Sequence, residues 1–562
     1  MIAHKKYVAF DYVKLPDRTW PEKRITKAPV WCSVDLRDGN QALVTPMGIP
    51  EKLRFFHALT DIGFKEIEVG FPSASETEYQ ILRTLIDGGH IPDDVTIQVL
   101  VQAREELIKK TFEAVRGAKN VILHFYNSTS TLQRKVVFQK DMDGIVEIAV
   151  EAAKLVRQLA EEEENRSGMN IRYEYSPESF TGTEIDFSVR ICHEVMEALG
   201  ATKAKPVIIN LPSTVEMCTA NTYADQIEYF CRHIPNREAA IVSLHPHNDR
   251  GTGVACCELA LMAGADRVEG CLFGNGERTG NLDIVTVALN MFTQGVDPRL
   301  DFSNILELKK IYEECTHMRV PERQPYAGTL SFTAFSGSHQ DAIRKGMEYM
   351  KAQNSEYWEV PYLPINPADI NREYEPVIRI NSQSGKGGAA FVLDAAKGYH
   401  LPKEMHPEFG NIVKAEADRY GDELTSLQIV DLFEKEYLQC EGRYNLLEHS
   451  FSEQHDAEKV VSKFSGFLSD DGKKIALQGE GNGPIDSFFN ALASAGLNGY
   501  SFVNYHEHAI SRGSASQGIC YIELKNNADN KHIFGVGVHD NINEAALRGI
   551  LCAVNRDQRR EK

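Results

Sequence analysis

His245 and His247 are separated by one residue, and Asp38 lies far earlier in the chain within Asp35-Leu-Arg-Asp-Gly-Asn-Gln41. On extended backbone, residues two apart project to the same side, so both imidazoles can be offered to a single divalent cation. Asp38 would add a hard oxygen ligand. Two imidazoles and one carboxylate leave coordination positions open, which suits a metal that grips and polarises a substrate oxygen rather than one that holds a fold together. Arg37 would then stand beside the negative charge that develops on that oxygen. A His-x-His pair alone is a frequent accident of sequence, so its weight depends on the elements that position it.

Those elements read as alternating strands and helices. Short apolar runs at Val30–Val34, Glu66–Gly70, Val95–Gln102, Val121–Tyr126, Ile171–Ser176, Val207–Leu211, Ala240–Leu244 and Arg267–Leu272 predict strands, and helical periodicity fills the intervals, as over Ile145–Leu159. About eight strand-then-helix units over roughly 250 residues predict an α/β fold, a (β/α)₈ TIM barrel whose catalytic groups sit at the C-terminal ends of the strands. Arg37 and Asp38 follow the first candidate strand, Glu178 the fifth, Thr214 the sixth, His245 and His247 the seventh, and Asn275 to Asn281 the eighth. Polar residues so placed converge on one mouth.

The chain has 562 residues, too many for one core, and its 61 basic and 80 acidic residues give a formal net charge of −19. That balance argues against nucleic acid or an anionic membrane as partner, and no segment reads as a membrane span or a signal core, so a cytoplasmic enzyme is expected. Eleven scattered cysteines without a Cys-x-x-Cys pair read as reduced thiols in packing positions.

Four segments are expected. Residues 1–29, with Pro16, Pro21 and Pro29, form an arm packed on another surface, and 30–324 form the catalytic barrel. Residues 325–437 are mostly helical connecting subdomains. Their Ser382-Gln-Ser-Gly-Lys-Gly-Gly388 stretch lacks phosphate-loop spacing and reads as a tight turn, with no role assigned to Lys386. Residues 438–562 form an α+β domain with two βββα-like repeats: Lys474–Asp486 and Ile533–Asn543 each lead a strand through glycines toward a helix. The glycines around Gly481 and Gly483 permit either tight turns or close approach of a small ligand to free N–H groups.

The segments Asp35–Gln41, Leu211-Pro-Ser-Thr-Val-Glu216, Ser243-Leu-His-Pro-His-Asn-Asp249 and Gly274-Asn-Gly-Glu-Arg-Thr-Gly-Asn281 resemble the signatures of the 2-isopropylmalate and homocitrate synthase superfamily. The match extends over nearly the whole chain and is most similar to the longer 2-isopropylmalate synthases. This resemblance implies a condensation of acetyl-CoA with a 2-oxo acid, 3-methyl-2-oxobutanoate in the leading reading, on a divalent metal (Mg²⁺, Mn²⁺ or Zn²⁺, with K⁺ as a candidate activator). It adds Asn281 to the ligands Asp38, His245 and His247. It also implies His339 with Tyr374 as the base toward acetyl-CoA, Glu178 as an orienting carboxylate, and Leu100, His124, Tyr126, Ser176, Asn210 and Thr214 around the 2-oxo acid. A homodimer is implied, with leucine as a feedback inhibitor bound near Gly481 and Gly483. Homocitrate and citramalate synthases are alternatives, with His124 a candidate partner for a distal carboxylate. A lyase on the same barrel would be expected to carry a reactive cysteine in the Gly274–Gly280 loop, which has none.

Overall fold

A computed structural model describes residues 3–334, 336–374, 388–420, 424–438, 442–456, 459–510 and 516–560. They divide into two compact units, one spanning Met1–Phe332 and Leu363–Tyr374, the other Thr333–Tyr362 and Glu375–Lys562.

The first unit is a closed barrel of eight parallel strands in sequential order: β1 (Val30–Ser33), β2 (Glu66–Gly70), β3 (Thr96–Gln102), β4 (Asn120–Ser128), β5 (Asn170–Glu178), β6 (Val207–Ser213), β7 (Ala240–Pro246) and β8 (Arg267–Gly270). β8 closes on β1, with Val30 opposite Arg267 and Ser33 opposite Gly270. A helix follows each strand, from Ile49–Asp61 after β1 to Ile284–Phe292 after β8. Their starts are fixed by side-chain caps: Ser75 accepts from the Glu78 amide and Asp141 from the Gly144 amide, each satisfying a donor that the first turn leaves free. Their ends use glycine where the chain turns left-handed, as at Gly168 (φ 73°) and Gly200 (φ 70°). β5 and β7 run longer than their apolar runs, so Glu178 and His245 lie on the strands themselves. The second half of the arm packs on its own barrel: Trp20 is buried, and its indole N–H donates to Asp225 Oδ1 at 2.8 Å.

Layers of branched apolar side chains would ordinarily fill such a barrel. Here the interior carries charge. Glu66, Glu68, Gln98, His124, Glu174, Asn210, His245, Arg267 and Glu269 are all buried. Arg267 is fully buried and binds Glu66 through Nε at 2.6 Å and Glu269 through Nη1 at 2.6 Å. Arg172 adds a second cation on Glu66 at 2.5 Å.

In the second unit, helices Gly388–Lys397, His406–Tyr420 and Ser426–Phe433 share a core with one face of the sheet β12-β13-β14 (Tyr500–Ala509, Gly518–Asn526, His532–His539). A second antiparallel sheet has the order β11-β10-β9 (Lys473–Gly481, Lys459–Asp470, Tyr444–Asp456). Each sheet is followed by one helix, Pro484–Ser494 or Ile542–Arg560, so the βββα repeat is present. Glycines let each helix close on its last strand. A Cβ on Gly479 would lie 2.4 Å from the Ala491 nitrogen, and one on Gly535 2.4 Å from the Ala553 nitrogen. Ser382–Gly387, including Lys386, lie outside the described residues. No helix among the described residues is long and apolar enough to cross a membrane.

Candidate active site

A five-residue turn, Asp35–Gly39, leaves β1 and carries Arg37 and Asp38 over the strand ends. Asp35 anchors it by accepting the Leu272 amide at 3.0 Å from beyond β8. Asp38 then meets the end of β7: its Oδ2 is 3.0 Å from His245 Nε2 and 3.9 Å from His247 Nε2. Asn281 supplies an amide oxygen 3.2 Å from His245 Nε2. Its amide orientation is set from behind, because Nδ2 donates to the Asn275 carbonyl at 3.1 Å. The loop that presents it must be tight: at Gly280 (φ 100°) a Cβ would fall 1.9 Å from the Gly274 carbonyl oxygen.

One carboxylate, two imidazoles and an amide oxygen therefore face one point, with donor atoms of Asp38, His245 and His247 all within 4.8 Å of one another. The buried His247 Nδ1 has no hydrogen-bond partner among the described residues. His245 Nδ1 meets Glu269 Oε2 at 2.7 Å, the carboxylate–imidazole support that orients a ligating histidine. These residues fit a divalent cation by donor type and by convergence.

The charges agree. Burial opposes ionisation of Asp38, but the Arg37 guanidinium and then the hydrogen bond to His245 outweigh it and hold the carboxyl well below the usual range. His245 is pushed up to about 10, the bonds to Asp38 and Glu269 overcoming its burial, whereas burial and the neighbouring His245 push His247 down to about 4. A raised imidazole pKa stabilises the fold fully below the unfolded value and loses that contribution as pH rises through the folded value. Metal-free protein should thus lose stability between about pH 6.5 and 10 by an amount that disappears in His245→Gln. Thermal unfolding of the chelated protein across that range checks this, and parallel curves for the two proteins would contradict it.

Around this centre lies a cavity of about 400 Å³. Arg37, Asp38, Leu100, His124, Tyr126, Ser176, Glu178, Asn210, Thr214, His245 and His247 all line it, so eleven of the residues singled out from sequence are brought together. Asn281 reaches them through His245. Leu100, Tyr126, Phe71 and Pro212 are its less polar lining residues. Glu178 accepts the Ser128 hydroxyl at the end of β5, and Thr214 Oγ1 accepts the Ser179 amide at 2.9 Å. His124 meets Glu68 Oε2 through Nδ1 at 2.8 Å and Ser176 Oγ through Nε2 at 2.7 Å, so both its nitrogens are occupied.

Tyr374 and His339 do not line the cavity. The Tyr374 hydroxyl is buried and has no hydrogen-bond partner among the described residues. His339 belongs to the second unit, on helix Gly337–Gln353, where its ring stacks on Tyr362 at 4.1 Å. Also in the second unit, a Cβ on Gly481 would sit 2.4 Å from the Ser487 nitrogen, while Gly483 is extended and faces open space.

Sequence reasoning missed Glu68, Gln98, Arg267 and Glu269, which hold the site from below, and Glu277 and Arg278 on its rim. Glu68 Oε1 accepts from Arg37 Nε, which fixes the guanidinium beside Asp38. Arg278 pairs with Asp249 at 2.6 Å and Gln41 donates to Glu277 at 2.8 Å, tying together the loops after β1, β7 and β8. The signal available was charge at alternate positions inside short strands, Glu66-Ile-Glu68 and Arg267-Val-Glu269.

Three family models match the chain: HMGL-like over residues 28–311, alpha-isopropylmalate synthase post-catalytic domain-like over 329–394, and LeuA allosteric (dimerisation) domain over 423–557. The chain is 53% identical over 557 residues to a 2-isopropylmalate synthase of Clostridium acetobutylicum, covering 99% of each chain. It is 54% identical over 554 residues to the 2-isopropylmalate synthase of Rhizobium johnstonii, covering 98% of this chain and 97% of that one. With the Rhizobium meliloti enzyme of the same name the identity is 53% over 554 residues, 98% of each chain.

Proposed function

The chain belongs to the 2-isopropylmalate synthase family, and from that premise we propose how its own residues divide the work. The family's acyltransferase reaction condenses acetyl-CoA with 3-methyl-2-oxobutanoate and hydrolyses the thioester, giving 2-isopropylmalate and CoA in leucine biosynthesis. The observation that carries the assignment is the convergence of Asp38, His245 and His247 with Arg37 in one cavity walled by Leu100. A divalent cation, Mg²⁺, Mn²⁺ or Zn²⁺, held by Asp38, His245, His247 and Asn281 would supply Lewis-acid polarisation of the 2-oxo acid, with K⁺ as an activator.

Arg37, held between Glu68 and Asp38, stabilises the oxyanion that forms when the keto carbon is attacked, a role worth about 10²–10³ in rate. Removal of the acetyl-CoA methyl proton falls to His339 with Tyr374, a general-base role worth roughly 10²–10⁴. The buried hydroxyl of Tyr374, without a partner among the described residues, supports its part in this. Glu178 orients water or substrate at the mouth, and Leu100, Tyr126, Ser176, Asn210, His124 and Thr214 enclose the 2-oxo acid. Free thiols at all ten described cysteines suit the cytoplasm. Thiol release from acetyl-CoA that requires 3-methyl-2-oxobutanoate and stops on chelation tests this reading, and release independent of the 2-oxo acid overturns it.

We place leucine in the C-terminal domain near Gly483, in a homodimer, with its carboxylate at the start of helix Pro484–Ser494. The Asn482 amide is already taken by Asp486 Oδ2 at 2.9 Å, which leaves the open side of Gly483 for the ligand. Gly481→Val would break the packing of that helix and is a poor probe. Gly483→Val meets no neighbour and should raise the leucine concentration for half-inhibition by about tenfold, within the usual range of allosteric coupling. Inhibition curves that coincide with those of the parent protein would remove leucine from this position.

A further inference from the structure

Glu174 lies on β5 in the barrel interior, fully buried, and neither of its carboxylate oxygens has a hydrogen-bond partner among the described residues. Two basic groups stand close by, Arg267 Nη1 at 3.4 Å from Oε2 and His124 Nε2 at 3.5 Å from Oε1. Neither has a hydrogen to give. Nη1 carries two, and they go to Ser243 Oγ at 2.9 Å and Glu269 Oε1 at 2.6 Å. On His124 the Nδ1 hydrogen goes to the carboxylate of Glu68 at 2.8 Å. Nε2 accepts the Ser176 hydroxyl, whose oxygen in turn accepts Asn210 Nδ2 at 3.0 Å; this network assigns the tautomer. An ionised Glu174 would be a buried charge with no donor, a state that burial strongly disfavours.

The remaining neighbour is Glu269, which has the opposite balance. Its Oε1 accepts from Arg267 and from Gln98 Nε2 at 3.1 Å, and its Oε2 meets Asn210 Nδ2 at 3.1 Å and His245 Nδ1 at 2.7 Å. Those donors favour an ionised Glu269, so the two carboxyls, which each have an oxygen within 4.8 Å of the other, can hydrogen-bond only when Glu174 holds a proton. We propose that Glu174 is a positioning residue kept as a neutral carboxylic acid, its proton turned toward Glu269 and so bracing the carboxylate that orients His245.

The titratable and charged groups facing Glu174 are Cys32 on β1, Glu68 on β2, His124 on β4, and Arg267 and Glu269 on β8. Burial raises its pKa well above the carboxyl range and Glu269 adds to this, while Arg267 opposes it. His124, Glu174 and Glu269 also have ligand atoms within 4.8 Å of one another. A second cation among them would lie against Arg267, and both His124 nitrogens are already engaged, so a proton suits the cluster better. The link to catalysis rests on the reading of His245 as a metal ligand.

Infrared spectra of the full chain with isotope-labelled glutamate separate a protonated Glu side chain from Asp35, Asp283 and Asp369, the aspartates that burial also pushes upward. A protonated glutamic carbonyl band is expected at neutral pH and should vanish in Glu174→Gln. That variant keeps a donor toward Glu269 and should stay within about tenfold of the parent in kcat and apparent metal affinity, whereas Glu174→Leu should weaken metal affinity by about 10–100-fold. A neutral-pH spectrum without the band overturns the proposal, as does a Glu174→Gln enzyme impaired as badly as Glu174→Leu. If Glu174→Gln does not fold, the labelled parent spectrum alone decides. Metal dependence that survives in Asp38→Ala would instead overturn the metal-centre reading, and the infrared band would still decide the proton.

Discussion

Asp38→Ala and His245→Ala each lower kcat/KM by more than about 10³ and leave the barrel folded, the loss corresponding to several kcal/mol of electrophilic stabilisation at about 1.4 kcal/mol per tenfold. The expectation follows from where the two side chains sit. Asp38 lies on a turn beyond β1 and His245 at the end of β7, so neither belongs to the apolar layer between strands and helices. Neither variant strands a charge: Arg37 keeps Glu68 when Asp38 is lost, and Glu269 keeps Arg267 when His245 is lost. The stability cost is that of an unmade buried hydrogen bond, about 1–3 kcal/mol, within what a domain of this size tolerates. Chelator titration of turnover, with circular dichroism of the same samples, separates the two effects. Turnover that is indifferent to chelator in the parent and in both variants would sink the metal assignment.

3-Methyl-2-oxobutanoate should exceed 2-oxoglutarate in kcat/KM by about 10²–10⁴, because an unpaired carboxylate brought into a desolvated pocket costs several kcal/mol. The cavity lining includes Leu100, Phe71 and Pro212, surfaces suited to a branched aliphatic tail. The nitrogen donors that could meet a distal carboxylate there are already engaged. His124 gives its nitrogens to Glu68 and Ser176, Asn210 its amide hydrogens to Ser176 and Glu269, and Arg278 its guanidinium to Asp249 and the Thr214 carbonyl. His124 is therefore no free cation for a distal carboxylate, as a homocitrate-forming pocket would require. Thiol release measured with both acids and with pyruvate decides the matter. Equal or higher efficiency with 2-oxoglutarate would reassign the pocket.

The eight strands were legible because their period and bounding turns are written in neighbouring residues. The predicted Glu66–Gly70 coincides with β2, and the other predicted strands fall within a few residues of those observed. The convergence of Asp38 with His245 and His247 was legible for a related reason, since the two histidines share one strand end and Asp38 follows the first strand. What the sequence could not decide was the inside of the barrel. Glu66, Glu68, Glu174, Arg267 and Glu269 sit in strands whose alternation marks two faces without saying which face looks inward. Charge at such positions reads as solvent-facing until the barrel closes.

Closure brings Glu66 to Arg267 at 2.6 Å across 201 positions and puts Leu272 on Asp35 across 237, separations that no local pattern encodes. The glycines of the C-terminal repeats show the same division. Their spacing announced strand-to-helix turns, but only the packed structure shows that Gly481 admits a helix while Gly483 stays open. Local periodicity thus determined the elements and the mouth of the site, through the stereochemistry of adjacent residues. Long-range pairing in a water-poor interior determined which charges hold that site in place, because a buried charge persists only where the tertiary fold supplies its partner.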